Sequence, residues 1–388
     1  MTQATRMHAH ISDMATTGGA ARPTALARAV PIRVLVADDS AVTRSLLRTA
    51  LGTCAQVEVA GTAQDGRDTL EAIGRIDPDL VLLDLEMPRM NGLEVLAEMR
   101  ARHMRAKVIV CSALTRRGAG ITLEALARGA ADYVPKPVAR SVGEGVNELI
   151  RELLPKVLAL FPQEGWYCPV DFAKQAMATP VRGGGPEAAT ALVVGVSTGG
   201  PAALEKILPV LPADFPLPIL IAQHMPRLFT GVLAERLNAA CRLLVREAEH
   251  GAQLEGGAAY LARGDWHMEV ARVRGACVLQ LHQGGLEQHC RPSVDLLFRS
   301  AAAVHGAGLI AVVLTGMGSD GLEGCRAVRA AGGKILVQDR ETSAVWGMPG
   351  AVARAGLADQ ILPVEAIAGE VTRLAVNPGR RGIARQQV

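Results

Sequence analysis

A chain of 388 residues, 49% hydrophobic and 20% charged, is long enough for two ordinary globular domains and apolar enough to give each a core. Only 3% of it is aromatic, so those cores must be built from Ala, Val, Leu and Ile, as suits parallel sheets covered by helices. A formal net charge of +3, with no basic stripe interleaved with aromatics, argues against nucleic-acid binding, and no stretch approaches the ~18 apolar residues of a membrane-inserted helix.

Residues 1–30, rich in Ala, Thr and Gly and lacking a signal-peptide core, read as a disordered leader. From Ile32 short apolar runs alternate with amphipathic stretches. Strands are predicted at Ile32–Val36, Val57–Ala60, Leu80–Leu83, Val108–Val110 and Asp132–Val134, with helices such as Thr43–Leu51 and Leu93–Arg102 between them and a closing helix over 141–160. Five βα units predict a doubly wound parallel sheet over 31–160. Residues 161–190, with four prolines and the run Gly183-Gly184-Gly185, read as a linker. A second, larger and mostly parallel α/β domain is predicted over 191–374, followed by a polar tail at 375–388. The seven cysteines form no Cys-x-x-Cys pair, which reads as reduced thiols in a cytoplasmic protein.

In the first domain Asp38 and Asp39 follow the first strand, Asp84 ends the third, Ser112 follows the fourth and Lys136 lies past the fifth. The carboxyl ends of parallel strands share one rim, so these groups converge. Three crowded carboxylates repel one another unless a cation sits among them, and a hard ion such as Mg²⁺ takes one or two carboxylates plus phosphate oxygens. The lysine and the hydroxyl would hold the phosphoryl group.

In the second domain Ala191 to Gly200 (Ala-Leu-Val-Val-Gly-Val-Ser-Thr-Gly-Gly) is an apolar run ending on Ser197 between glycines, the pattern of a nucleophile elbow with a helix starting near Pro201. His224 follows a second run at Leu217–Gln223, and Asp320 follows a third at Gly308–Leu314. A serine hydroxyl needs an imidazole to take its proton, and the imidazole needs a carboxylate to orient it. The order Ser…His…Asp differs from the α/β-hydrolases, which points to a different fold. His267 is a rival base and Asp339 a rival carboxylate. The backbone N–H groups near Thr198 and Met317 are candidates for an oxyanion hole.

These motifs carry two resemblances. Residues 32 to about 155 resemble a response-regulator receiver domain through Val34–Ser40 (Val-Leu-Val-Ala-Asp-Asp-Ser), Val81–Gly92 around Asp84, Cys111-Ser112-Ala113 and Asp132–Pro137 (Asp-Tyr-Val-Pro-Lys-Pro). The resemblance implies Mg²⁺-dependent phosphorylation of Asp84 by a sensor histidine kinase. Asp38, Asp39, Asp84 and the Glu86 carbonyl would hold the metal, Ser112 and Lys136 would contact the phosphoryl group, and Tyr133 would be an aromatic switch. It also implies a cis Lys136–Pro137 bond; Pro135 is less usual there.

Nearly all of residues 191–372 resemble the chemotaxis protein-glutamate methylesterases of the CheB family, through Gly195–Pro201, Ala222–Pro226, Arg291–Asp295, Leu314–Gly321 and Gln338-Asp339 followed by Gly347-Met348-Pro349. Val196 stands where that family usually has alanine. The resemblance implies a methylesterase-type domain with Ser197 as nucleophile, His224 as base and Asp320 as orienting carboxylate, and no cofactor in the esterase site. The implied substrates are glutamyl γ-methyl esters, and certain glutamines, on methyl-accepting chemotaxis receptors. Joined to the receiver, such a domain is expected to be covered by it until phosphorylation loosens the packing. A two-component transcription factor and a catalytically silent receptor scaffold are the alternatives.

Overall fold

The computed structural model describes residues 30–137, 141–162 and 188–376. The expected leader, linker and tail fall almost wholly outside them. In the first domain, runs of Val, Leu and Ile form strands β1 (Ile32–Ala37), β2 (Val57–Ala63), β3 (Leu80–Asp84), β4 (Lys107–Ser112) and β5 (Asp132–Pro135). The helices between and after them are α1 (Ala41–Leu51), α2 (Gly66–Ile76), α3 (Gly92–Ala101), α4 (Arg116–Ala127) and α5 (Val142–Leu160). Ser40, Asp65, Asn91 and Thr115 each accept an N-terminal helix amide, which explains why the chain turns into a helix soon after each strand. The sheet is parallel throughout, in the order β2-β1-β3-β4-β5.

The second domain begins with β6 (Ala191–Val196), α6 (Gly200–Ile207), β7 (Ile219–Gln223), α7 (Arg227–Ala240), β8 (Leu244–Glu247) and β9 (Ala258–Leu261). Next come β10 (His267–Val273) and β11 (Ala276–His282), an antiparallel hairpin, and then α8 (Val294–His305) and β12 (Leu309–Val313). The chain closes with α9 (Leu322–Ala330), β13 (Lys334–Gln338), α10 (Met348–Arg354), β14 (Gln360–Leu362) and α11 (Val364–Ala375). Its seven-stranded sheet is parallel, in the order β14-β13-β12-β6-β7-β9-β8. Among the described residues no helix is long and apolar enough to cross a membrane.

The sequence pattern did not announce β8, β9 or the hairpin; these strands are short or lie at the margin of the domain. A second difference concerns Lys136–Pro137, expected to be cis. Among the described residues the one cis bond is Arg291–Pro292. Proline only weakens the trans preference, and here Lys136 N–H continues the β4–β5 ladder to the Ser112 carbonyl at 2.8 Å with a trans bond following.

Strand β6 is the switch point of the second sheet, because the chain leaves it for β7 on one side and returns through β12 on the other. All six of its residues are buried. Gly195 lies against Val294 at the start of α8, with no room for a Cβ. Gly195→Ala should therefore overpack this contact and cost about 1–3 kcal/mol, read as a lower thermal midpoint of the full-length chain; an unchanged midpoint would mean that α8 is not closely packed on β6.

Candidate active site and acidic cleft

Parallel register brings the ends of three strands level. Gly195 of β6 pairs with Val313 of β12 and with Ala222 of β7. The ladder then runs on past each strand: Ser197 N–H donates to the Thr315 carbonyl at 3.0 Å, and His224 N–H to the Val196 carbonyl at 3.1 Å. Gly199 takes a left-handed φ of 78° and starts α6, so the chain reverses within three residues of β6. The bulk of Val196 is accommodated because residue 200 is glycine: a Cβ there would meet Val196 Cγ2 at 2.7 Å. Gly316 faces Ser197 so closely that a Cβ on it would lie 2.8 Å from the serine Cβ. The Met317 amide thus belongs to the loop beside Ser197. The backbone amides of Thr198 and Met317 donate to no other group among the described residues.

The structure brings His224 and Asp320 together, with Nε2 to Oδ2 at 2.8 Å. Asp320 is 3% exposed and is held by the start of α8, accepting from the Val294 amide at 2.8 Å, the Asp295 amide at 2.9 Å and the Ser293 hydroxyl at 3.1 Å. Burial opposes its charge, but His224 and the two amides outweigh burial and hold the carboxyl below its usual range. Asp295, next to it, is pushed up to about 6 by burial, against the Gly324 and Gly321 amides and with the Asp320 charge adding.

The other imidazole nitrogen, Nδ1, faces Cys290 Sγ at 3.7 Å. The Ser197 hydroxyl makes no hydrogen bond among the described residues, so it is not linked to the His224 ring here; such links are often formed only when a substrate is bound. Burial works against a charged His224, yet hydrogen bonds with Asp320 and then Cys290 raise it to about 10.

Both rivals have other partners. His267 is fully buried at the start of β10, with Nε2 2.9 Å from the Gly285 carbonyl. Asp339 caps the turn after β13, accepting from the Thr342 amide and hydroxyl at 2.9 and 2.6 Å. Sequence reasoning passed over Gln223, whose amide donates to both the Ser197 and His224 carbonyls at 3.0 and 3.1 Å, and over Cys290. Their only sequence signals were adjacency to His224 and to the Arg291–Asp295 motif.

In the first domain the acidic residues converge as expected. The Asp38, Asp39 and Asp84 carboxylates lie within 4.8 Å of one another. Lys136 Nζ lies 2.9 Å from Asp38 and 2.7 Å from Asp84, both carboxylates being buried. Burial raises the Asp84 pKa, and the Asp38 charge adds to this, while the Lys136 hydrogen bond opposes it. The buried Asp38 Oδ2 and Asp84 Oδ2 have no partner among the described residues other than the Lys136 ammonium. An oxygen-rich cluster with one lysine for three carboxylates fits a hard divalent cation. Glu86 and Ser112 line the cleft around Asp84 with Lys136. The Ser112 hydroxyl is turned toward α4, bonding Thr122 Oγ1 at 2.6 Å and the Gly118 carbonyl at 3.3 Å.

Comparison with known proteins agrees with both halves. Residues 192–371 match the CheB methylesterase family model, and residues 34–144 match that of the response regulator receiver domain. A protein-glutamate methylesterase/protein-glutamine glutaminase of Nocardioides sp. is 44% identical over 352 residues, covering 88% of this chain and 95% of that protein. The chain belongs to the CheB methylesterase family. It is thus a hydrolase by family, with a receiver domain ahead of the esterase domain. A protein of Trichodesmium erythraeum with the same name is 42% identical over 350 residues, covering 88% of this chain and 98% of its own. The crystal structure of the Thermotoga maritima CheB methylesterase catalytic domain is 40% identical, covering 48% of this chain and 100% of its own with a TM-score of 0.48.

In this CheB-family chain the receiver is packed against the esterase domain beside the elbow. Tyr133, 5% exposed, stacks on Phe229 of α7 with ring centroids 4.8 Å apart. Thr198 Oγ1, one residue past Ser197, donates to the receiver's Asp132 at 2.8 Å. Lys156 of α5 pairs with the same carboxylate at 3.2 Å and lies over the Tyr133 ring. Arg116 and Glu235 form an exposed ion pair between α4 and α7. Val345 of the esterase domain is buried in one cluster with Cys111, Val134 and Leu153 of the receiver. Thr198→Val keeps the shape and removes a buried donor from a charged acceptor, so it should cost about 1.5–3 kcal/mol, read from the denaturant midpoint, and speed amide exchange in β5. A variant with wild-type midpoint and exchange would show that this bond does not hold the domains together.

Proposed function

We propose that the chain is a phosphorylation-controlled hydrolase of glutamyl γ-methyl esters, and of certain glutamine side chains, on methyl-accepting chemotaxis receptors, with a sensor histidine kinase as phosphodonor. The observation that carries this reading is the Asp320–His224 pair at the ends of the strands flanking β6, where Ser197 sits. Ser197 Oγ attacks the ester carbonyl carbon and His224 takes the hydroxyl proton. The oxyanion of the tetrahedral intermediate accepts from the Thr198 and Met317 amides. His224 then returns the proton to the leaving methoxide oxygen, so methanol departs and an acyl-serine remains. Water, deprotonated by His224, attacks the acyl carbon to give glutamate and free Ser197; from glutamine the leaving group is ammonia. Asp320, ionised on the α8 N-terminus, fixes the ring and stabilises the imidazolium.

In the receiver, Asp84 is the phosphoacceptor, with Asp38, Asp39, Asp84 and the Glu86 carbonyl as the residues that would hold Mg²⁺. The ion would neutralise the cleft and the incoming phosphate oxygens. Lys136 pairs with the phosphoryl group in place of Asp38 and Asp84, and Ser112 turns from α4 to meet it. Because α4 packs on α6 and α7, that turn loosens the receiver from the esterase domain and uncovers the elbow.

Methanol release from membranes carrying methylated receptors tests the reading. Ser197→Ala and His224→Ala should each remove nearly all turnover, since the pair acts as a unit; Asp84→Asn should keep basal turnover and lose both acetyl-phosphate labelling in Mg²⁺ and the rise it causes. Normal turnover in Ser197→Ala would end the serine mechanism.

The pH profile gives a second check. The base must be neutral, so kcat/KM rises with pH through the His224 pKa. Hydrogen bonding to Cys290 is one cause of the raised value, so Cys290→Ala should move the acid limb of the profile to lower pH. An acid limb at the same pH, or a higher one, would show that Cys290 does not act on the imidazole.

A further inference from the structure

We propose that Cys290 and His224 form a binding site for a soft divalent ion of the zinc class, which takes the esterase base out of action when it binds. The inhibitory part rests on the reading of His224 as base; the binding part rests on geometry alone. Sγ and Nδ1 face each other at 3.7 Å. Two tetrahedral zinc ligands at about 2.3 Å for sulfur and about 2.0 Å for nitrogen lie roughly 3.6 Å apart, so one ion fits between these atoms with little movement. Asp320 completes the arrangement from the other side of the ring. Its hydrogen bond to Nε2 leaves the Nδ1 lone pair for the metal, the carboxylate–histidine–metal pattern that orients and strengthens imidazole ligands. Oxygen atoms of these three residues' set are few, and thiolate with imidazole selects zinc-class ions over Mg²⁺, whose oxygen donors lie in the receiver.

The thiol is held in place before any ion arrives. Glu287 and Cys290 exchange backbone hydrogen bonds at 2.8 and 3.2 Å across a turn in which Gln288 and His289 both take left-handed φ values, 47° and 65°. Non-glycine residues adopt that region at a cost. The turn is pinned further by Gln288, which donates to Asp295 at 2.6 Å and accepts from Ser319 at 3.2 Å. His224 keeps 15% of its side chain exposed, which gives an ion an approach and leaves room for water to fill its remaining positions. On binding, a sulfur–metal bond replaces the Cys290 S–H bond, a nitrogen–metal bond replaces the Nδ1–H bond that the imidazolium carries below its raised pKa, and the displaced protons leave to solvent. Nothing is oxidised or reduced, and a chelator reverses the step.

The test uses the full-length chain stripped of metal and titrated with Co²⁺, whose thiolate complexes absorb in the near ultraviolet. The thiolate-to-metal band should appear in the wild type and in Ser197→Ala, vanish in Cys290→Ser and His224→Ala, and weaken about 10–100-fold in apparent affinity in Asp320→Asn. Mg²⁺ in excess should leave it unchanged. Zn²⁺ should protect Cys290 of the wild type from iodoacetamide, a measurement that needs no variant to fold. It should also stop methanol release in a way that EDTA reverses, with at least a ~10-fold higher half-inhibitory concentration in Cys290→Ser. No band in the wild type, a band that survives Cys290→Ser, or equal alkylation with and without Zn²⁺ would overturn the site. The band reads the site and methanol reads the esterase, so Ser197→Ala, which binds cobalt while losing turnover, keeps the two failures apart.

Discussion

A parallel β-ladder carries the carboxyl ends of all its strands to one edge, and that constraint organises both halves of this chain. In the receiver it gathers Asp38, Asp39, Asp84 and Lys136 from the ends of β1, β3 and β5. In the esterase domain it sets Ser197, His224 and the Asp320 loop around the end of β6. The inner strands of each sheet are buried and largely apolar, and most of the polar groups that converge sit at their carboxyl ends or just past them.

Each rim then faces the cost of burying carboxylates, and the molecule meets that cost in different ways. Asp38 and Asp84 share one lysine, an arrangement that leaves excess negative charge and so suits a metal and a phosphoryl group. Asp320 rests on the first amides of α8, which keep it ionised without a permanent cation. Asp132 is satisfied by Lys156 and the Tyr133 amide of its own domain and by Thr198 of the other. That last bond links the two domains: Thr198, next to Ser197, is tied to the first residue of the strand that Lys136 follows.

Much of the candidate site was legible before the fold was known. Ser197, His224 and Lys136 come just after an apolar run, Asp84 closes one and Asp320 lies in the loop after another, and the strand-end rule needs only that placement. Of the rivals, Asp339 satisfied the same rule and His267 preceded an apolar run, and pattern alone left both open. What separates them is local packing, since His267 is buried with its ring against the Gly285 carbonyl just past β11 and Asp339 is spent on Thr342. The Lys136–Pro137 expectation failed for a related reason. Proline narrows the preference for trans without reversing it, so the dipeptide by itself does not fix the isomer.

By itself the sequence determined the two α/β domains, the order of their strands' functional ends and the residue types of the proposed chemistry, because hydrophobic periodicity and strand-terminal position are local properties of the chain. Only the tertiary structure decided which ring nitrogen of His224 meets Asp320, that Cys290 sits on the other, and that Tyr133 and Asp132 close on Phe229 and Thr198. Those contacts join residues 66 or more positions apart through side-chain rotamers and domain packing. No local pattern in the chain encodes such pairings, since they exist only once separate elements have been pressed together.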